Sequence, residues 1–489
     1  MNIFENKKDL TGKLLFIISV ISLGFMIYLL FTKPFLSIDE WFTKGLVQSR
    51  FADIISITAI DVHPPLYYMI VKAVMKALAL LNIGFNKIIV VKFVSIIPYF
   101  ILLAVSVTKI RKEHGWLACG LFAFCVLSMA NFFTYYLTAR MYSWSLLFVV
   151  LSFIYARNIF KDPTIKDWIL LSIFSVLGAY TMYFSAVTSI CIYLLILVYI
   201  IKNKRSEIKN FVISCILNVI LYAPWFMVLF SQLSSVHKSY WIKSPTLEST
   251  ITAFSTVFPS FGIILSCIFT VALFAVGAYL FKKYYTSKDG EDYYVLTGVM
   301  TFIGTVVITA IVSVLFKPVL IPRILVPAAA VFWFSFSILI SKLEFNKTVL
   351  LVTLIIVVIG AAGVISQVND ISKLNDETIA LQEFLSEINN NDSIVIFDSS
   401  TKYFRFFEEL NNTQQYYVFN INNKTYEKQY VSILDLNKKE FVFPDSILNN
   451  TDKNIYFIVD EKTEYDYPDE INTTQVNRLN NCLFIKLTG

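Results

Sequence analysis

The chain is 489 residues long, 56% hydrophobic and only 16% charged, with a mean hydropathy of +0.65. This balance excludes an ordinary water-soluble globular protein, which is nearer half apolar and a quarter charged, and points to the bilayer as solvent. The net charge of +6 carries no implication of a nucleic-acid partner, because the lysines and arginines lie mostly in short connectors between apolar runs, where membrane orientation accounts for them.

The N-terminal stretch MNIFENKKDLTGKLLFIISVISLGFMIYLLF sets a basic flank before an apolar run long enough to span the hydrocarbon core. No small-residue cleavage site follows, so the run reads as a retained first helix. Together with this run (13–35), the stretches 88–108, 115–133, 141–159, 168–183, 186–201, 211–231, 258–281, 294–316, 324–340 and 348–367 make eleven crossings. Residues 66–82 are shorter and carry Lys72 and Lys76 on one helical face. They are expected to lie at the interface as an amphipathic helix. The connectors KIRKEHG, RNIFKDPTIKDW, IKNKRSEIKN, FKKYYTSKDGEDYY and SKLEFNK then all fall on the cytoplasmic side with the N-terminus.

The opposite connectors face outward and hold the unusual polar residues. Asp39, Glu40, Asp53, Asp61, His63, Arg140, Tyr142, Tyr183, His237, Lys238, Trp241, Lys317 and Arg323 are expected on one face. Ionisable groups held at membrane level are costly and tend to serve function. The Asp39–Glu40 pair reads either as a helix cap or as a general base in a partly dry recess. In AIDVHPPLYYMI, Pro64 and Pro65 force a break and start a helix, which positions Asp61 and His63 just ahead of it and sets Tyr67 and Tyr68 as interfacial anchors. Arg140, in YYLTARMYSW, has a planar fork suited to phosphate, or else snorkels to a lipid headgroup. FKPVLIPRILVP adds Lys317 and Arg323, and VHKSYWIKS adds His237, Lys238 and Trp241.

Carboxylates and phosphate-binding cations at the outer surface imply a reaction on a lipid-linked phosphate, with a polyprenyl-phosphate sugar as donor. A carboxylate deprotonates the acceptor hydroxyl, the hydroxyl attacks the anomeric carbon, and the cations stabilise the departing phosphate. A single displacement of this kind inverts the anomeric centre.

The acidic pair after the first helix, HPPLYY, ARMYSW, AYTMYFSAV and APW, in this order over roughly residues 13–330, resemble the GT-C glycosyltransferases of family 39 type. These include the protein O-mannosyltransferases and aminoarabinose transferases. The resemblance implies a dolichyl- or undecaprenyl-phosphate sugar donor, Asp39 as base or acceptor-binding carboxylate with Glu40 beside it, and Arg140 as the arginine of the RMY motif. It leaves open whether a divalent cation, Mg or Mn, assists phosphate departure. The family's THY motif reads Thr181-Met182-Tyr183 in this chain, so no histidine role carries over, and its late RY motif reads Arg323-Ile324.

Residues 1–368 thus form the expected polytopic α-helical, GT-C-like membrane domain, and 369–489 a small extracytoplasmic α/β domain. In the latter, DETIALQEFLSEINN has helical periodicity, while SIVIFD, QYYVFN, NIYFIVD and CLFIKL read as short buried strands. Asn-x-Ser/Thr matches at Asn391, Asn411, Asn423, Asn449 and Asn472 license only surface exposure. Five of the six cysteines sit in apolar runs, with no disulfide or metal-ligand spacing. A transporter or flippase of lipid-linked or anionic substrates is the alternative, favoured by mid-bilayer charges and repeated halves that are not evident here. A non-catalytic assembly subunit is the third reading. The sugar, the polyprenol and the acceptor (protein, glycan or lipid) are not named by the residues.

Overall fold

The computed structural model describes residues 3–390 apart from 85, 236–243, 261 and 286–288, and beyond them 393–397, 406, 409–410, 412–417, 453–460, 472–479 and 482–488. Sixteen α-helices carry the first part: α1 (Ile3–Thr32), α2 (Ile38–Leu46), α3 (Phe51–Ile60), α4 (Leu66–Leu80), α5 (Lys87–Val105), α6 (Arg111–Ser128), α7 (Phe132–Leu137), α8 (Tyr142–Phe160), α9 (Ile165–Thr181), α10 (Tyr183–Asn203), α11 (Ile208–Ser235), α12 (Leu247–Ser255), α13 (Ile263–Tyr284), α14 (Gly290–Leu315), α15 (Val326–Lys342) and α16 (Lys347–Asn390).

Nine helical stretches among the described residues are long and apolar enough to cross a bilayer. One of them, Lys87–Ser128, runs for 42 residues, about twice what a hydrocarbon core requires. It breaks at Gly115, whose φ of +82° suits glycine alone, and so accounts for two of the expected crossings. The 17-residue α9 is the remaining expected span. α4 has 15 residues, about 22 Å of helix, too short to cross untilted. Its Tyr67, Tyr68, Val71 and Met75 are buried while Lys76, Ala77 and Leu80 are exposed, the two faces expected of an interfacial helix. Outward apolar side chains such as Ile220, Met227, Ile264, Val271 and Val358 are exposed, as lipid-facing surfaces must be. The chain is an integral membrane protein.

α1 and α6 pack at the distance of bare backbone. A Cβ added at Gly120 would stand 1.9 Å from the Gly12 carbonyl oxygen, and one added at Gly12 would stand 2.2 Å from the Trp116 carbonyl. Only glycine permits that approach.

The two ends of the bundle differ. At one end Arg157 pairs with Glu113 and Glu291, Lys161 pairs with Glu291, Lys342 with Asp292, and Trp168 Nε1–H donates to Glu207. These contacts bring all five basic connectors to one end. The segments carrying Asp39, Asp61 and Arg140 gather at the other end, 19 residues of α8 away, or about 28 Å.

α16 is a single 44-residue helix that runs without interruption past residues 368 and 369 into the C-terminal region, including the stretch predicted helical there. A five-stranded sheet follows: β1 (Ile394–Phe397), β2 (Gln414–Tyr417), β3 (Ile455–Asp460), β4 (Asn472–Leu479) and β5 (Cys482–Thr488) in the order β2-β1-β3-β5-β4. β1 pairs in parallel with β2 and β3, while β5 is antiparallel to β3 and β4. Four strands coincide with predicted ones. β4, NTTQVNRL, has no apolar alternation and was not expected. Leu381, Leu385 and Ile388 of α16 pack with Val395, Phe397, Ile458 and Phe484, and with Trp41 of α2. The C-terminal layer therefore rests directly on the helix that carries Asp39 and Glu40.

Candidate active site at one end of the bundle

Asp39 and Glu40 start α2, and helical geometry turns them about 100° apart. Glu40 is fully buried. Its Oε1 accepts from Lys92 Nζ at 2.7 Å and from the Ala139 N–H at 2.6 Å, and its Oε2 accepts from the Ser37 N–H at 2.9 Å. Its carboxylate is thus shut away from solvent and engaged by three donors, and its bond to the Ser37 N–H is the capping contact at the start of α2. Asp39 keeps 42% of its side chain accessible and holds Arg323, whose Nη1 donates to Oδ2 at 3.1 Å.

Arg140 lies in the turn between α7 and α8. Its Nη1 donates to the Tyr68 hydroxyl at 3.0 Å and to the Asp39 carbonyl at 3.3 Å, so α2, α4 and the turn before α8 converge on it. Its Nε is buried and has no hydrogen-bond partner among the described residues. Tyr142 is buried, its ring 4.9 Å from that of Tyr135. Tyr68 is no interfacial anchor: it is buried against Arg140, and Tyr67 is buried with its hydroxyl 2.9 Å from Ser95 Oγ.

Asp61 and His63 are half-buried, near enough to Arg140 and Asp39 to feel their charges. Burial pushes the Asp61 carboxyl up to about 6, against the pull of Arg140. Burial, with Arg140 adding to it, holds the His63 imidazole well below its ordinary value and keeps it neutral. Tyr183 is bonded to Gln232, whose Nε2 donates to the Thr58 and Ala59 carbonyls, and receives Trp225 Nε1–H at 2.9 Å. Tyr183 thus ties α10 and α11 to the end of α3. Lys317, in the connection between α14 and Arg323, buries its Nζ with no hydrogen-bond partner among the described residues; it does not touch Asp39 or Arg140. Asp53 turns away to the exposed Arg50 at 2.9 Å. His237, Lys238 and Trp241 lie outside the described residues.

The fold has counterparts among solved structures. The chain is similar in fold to ArnT. ArnT from Cupriavidus metallidurans bound to undecaprenyl phosphate superposes with a TM-score of 0.57 at 10% identity, over 96% of this chain and 97% of that one. Its apo state gives a TM-score of 0.55 at 10% identity, over 91% and 93%. No protein-family model matches the sequence and no curated protein does. At this identity the likeness is one of fold: the polytopic helical bundle followed by a small C-terminal sheet is an ArnT-like architecture.

Within this ArnT-like frame the sequence reading missed Lys92. It sits in the apolar run VVKFV of α5, where a lone lysine reads as an interruption, and its partner lies 52 residues away. A charge inside a predicted membrane helix was the available signal. Among the described residues no three His, Cys, Asp or Glu side chains converge as a metal-ligand set. Asp39 and Asp61 both lie within electrostatic reach of Arg140.

Proposed function

We propose that this chain is an inverting membrane glycosyltransferase that moves a sugar from a polyprenyl-phosphate donor to an acceptor hydroxyl on the extracytoplasmic face. The observation that carries the reading is the accessible Asp39 carboxylate, held 3.1 Å from Arg323 and beside Arg140, at one end of an ArnT-like bundle. The undecaprenyl phosphate bound in one ArnT structure makes that lipid the first donor carrier to test. The positive-inside rule puts this end outside, where water-soluble nucleotide sugars are absent.

In this reading the phosphate of the donor takes up Arg323, together with Arg140 Nε and Lys317 Nζ, which have no hydrogen-bond partner among the described residues. The Asp39 carboxylate, released from Arg323, accepts the proton of the acceptor hydroxyl as its oxygen bonds to the anomeric carbon. The bond from that carbon to the phosphate oxygen breaks on the opposite face, its electron pair stays on the lipid phosphate, and the guanidinium groups stabilise the developing charge. Asp61, neutral His63, Tyr142 and Tyr183 line the approach for sugar or acceptor, with His237 and Trp241 as further candidates from the sequence. No step requires a cation; whether Mg or Mn assists is read in the same assay.

The test is mass spectrometry of products after the purified chain meets a panel of polyprenyl-phosphate sugars with protein, glycan and lipid acceptors, with and without divalent cation. The expected result is transfer with inversion that Asp39→Asn abolishes. Passage of a lipid-linked sugar across proteoliposomes with no transfer by any donor would establish the transporter reading instead.

A further inference from the structure

Lys92 is a buried cation near the candidate site that the mechanism leaves unused. It stands in α5, 1% exposed, with Nζ 2.7 Å from Glu40 Oε1 and 2.6 Å from the Leu137 carbonyl. The Phe35 ring covers it, 3.4 Å from Nζ to the centroid. The three backbone groups bonded to this pair come from two stretches of chain, one around Ser37 and one around Leu137 and Ala139. Ser37 opens α2, Glu40 lies beside Asp39, Leu137 ends α7, and Ala139 precedes Arg140. Both groups that the reaction needs are therefore one residue away from an atom that the Lys92–Glu40 pair holds.

We propose that Lys92 is a positioning residue: through Glu40 and Leu137 it fixes the Asp39 backbone and the Arg140 turn at the separation the reaction requires. The proposal rests on the glycosyltransferase reading for its kinetic arm. Glu40 accepts from Ala139 and Ser37 at once, and the Lys92 ammonium pairs with it where both are buried. A buried ion pair is not by itself a stabilising device, since well-packed apolar residues can replace one. Its geometric specificity is the property that this arrangement uses. The Arg140 side chain leans on the same scaffold, because its Nη1 donates to the Asp39 carbonyl.

The experiment compares full-length Lys92→Gln and Lys92→Arg, and the doubly neutral Glu40→Gln/Lys92→Gln, in lipid nanodiscs. Three quantities are read: thermal midpoint, donor KM and kcat for transfer, and binding of undecaprenyl phosphate. Lys92→Gln is expected to lower kcat at least tenfold and to weaken lipid-phosphate binding, because Arg140 is displaced. Lys92→Arg, which restores a charge-assisted donor, is expected within about threefold of the parent. The double variant, with no unpaired buried charge, is expected to keep the parent's midpoint while retaining the tenfold loss. Parent-like kcat and lipid binding in the folded double variant would overturn the proposal. So would equal losses in Lys92→Gln and Lys92→Arg that track only the folded fraction. If the parent transfers no sugar, the glycosyltransferase reading falls, and the lipid-phosphate binding arm still decides the role of Lys92.

Discussion

The Asp39 carboxylate and the Arg323 guanidinium meet at 3.1 Å across 284 residues of chain. Both remain partly open to solvent, at 42% and 33% of their side chains. An exposed pair of this kind adds little to stability, so its value lies in what it presents. Asp39→Asn is therefore expected to leave the thermal midpoint unchanged while lowering transfer by about 10²–10⁴-fold, the range of a lost general base. Product formation and a melting curve on the same preparation check it.

Arg140 engages Tyr68 and the Asp39 carbonyl while its Nε has no hydrogen-bond partner among the described residues. Lysine has charge without the fork. Arg140→Lys is expected to lose about 10²-fold or more in kcat, by analogy with removal of one charge-stabilising donor, and to be no better than Arg140→Gln. Steady-state kinetics with a saturating donor decide this. Recovery of activity in the lysine variant would show that charge alone suffices.

The Asp61 carboxyl is raised from 3.8 to about 6. Between these values the folded state binds more protons than the unfolded one, so stability falls as pH rises through that window. The cost is fully present above about pH 6 and absent below about 3.8. Asp61→Asn removes it. The variant is expected to melt higher than the parent at pH 7.5, with the advantage shrinking toward pH 4. Melting curves across that range test the sign, and a constant difference would contradict it.

Gly120 faces the Gly12 carbonyl at a distance no side chain tolerates, whereas Gly24, also in α1, has nothing within 4 Å of an added Cβ. Gly120→Ala is expected to cost about 1–3 kcal/mol or more from overpacking. Gly24→Ala is expected to be neutral or slightly stabilising through helix propensity. The pair of midpoints in one detergent is the measurement.

Trp41 is buried beneath the C-terminal layer, its ring 6.0 Å from that of Phe406, and Lys44 on the same short helix pairs with Glu409. Trp41→Ala is expected to cost about 3–5 kcal/mol and to lower transfer as well, because α2 also carries Asp39. Limited proteolysis of the C-terminal region, followed beside activity, separates loosening of that layer from global unfolding.

Much of this molecule was legible in one dimension. Long apolar runs must be helices in a bilayer, because hydrocarbon offers backbone groups no other partner. The alternation of basic and polar connectors sorted the loops into two sets, which the ion pairs around Glu291 and the contacts around Asp39 keep apart. Pro64 and Pro65 set the start of α4 through backbone geometry alone. Tertiary structure decided what depends on direction and distance. Glu40 separates from Asp39 because one residue of helix turns a side chain by about 100°, and adjacency in a string carries no such angle. Lys92 acquires its role from Glu40 and Leu137, 52 and 45 residues away. Tyr68 became a partner of Arg140 rather than an anchor because α4 lies against the turn before α8. Local pattern determines the elements; which side chains share a dry recess follows only from packing those elements together.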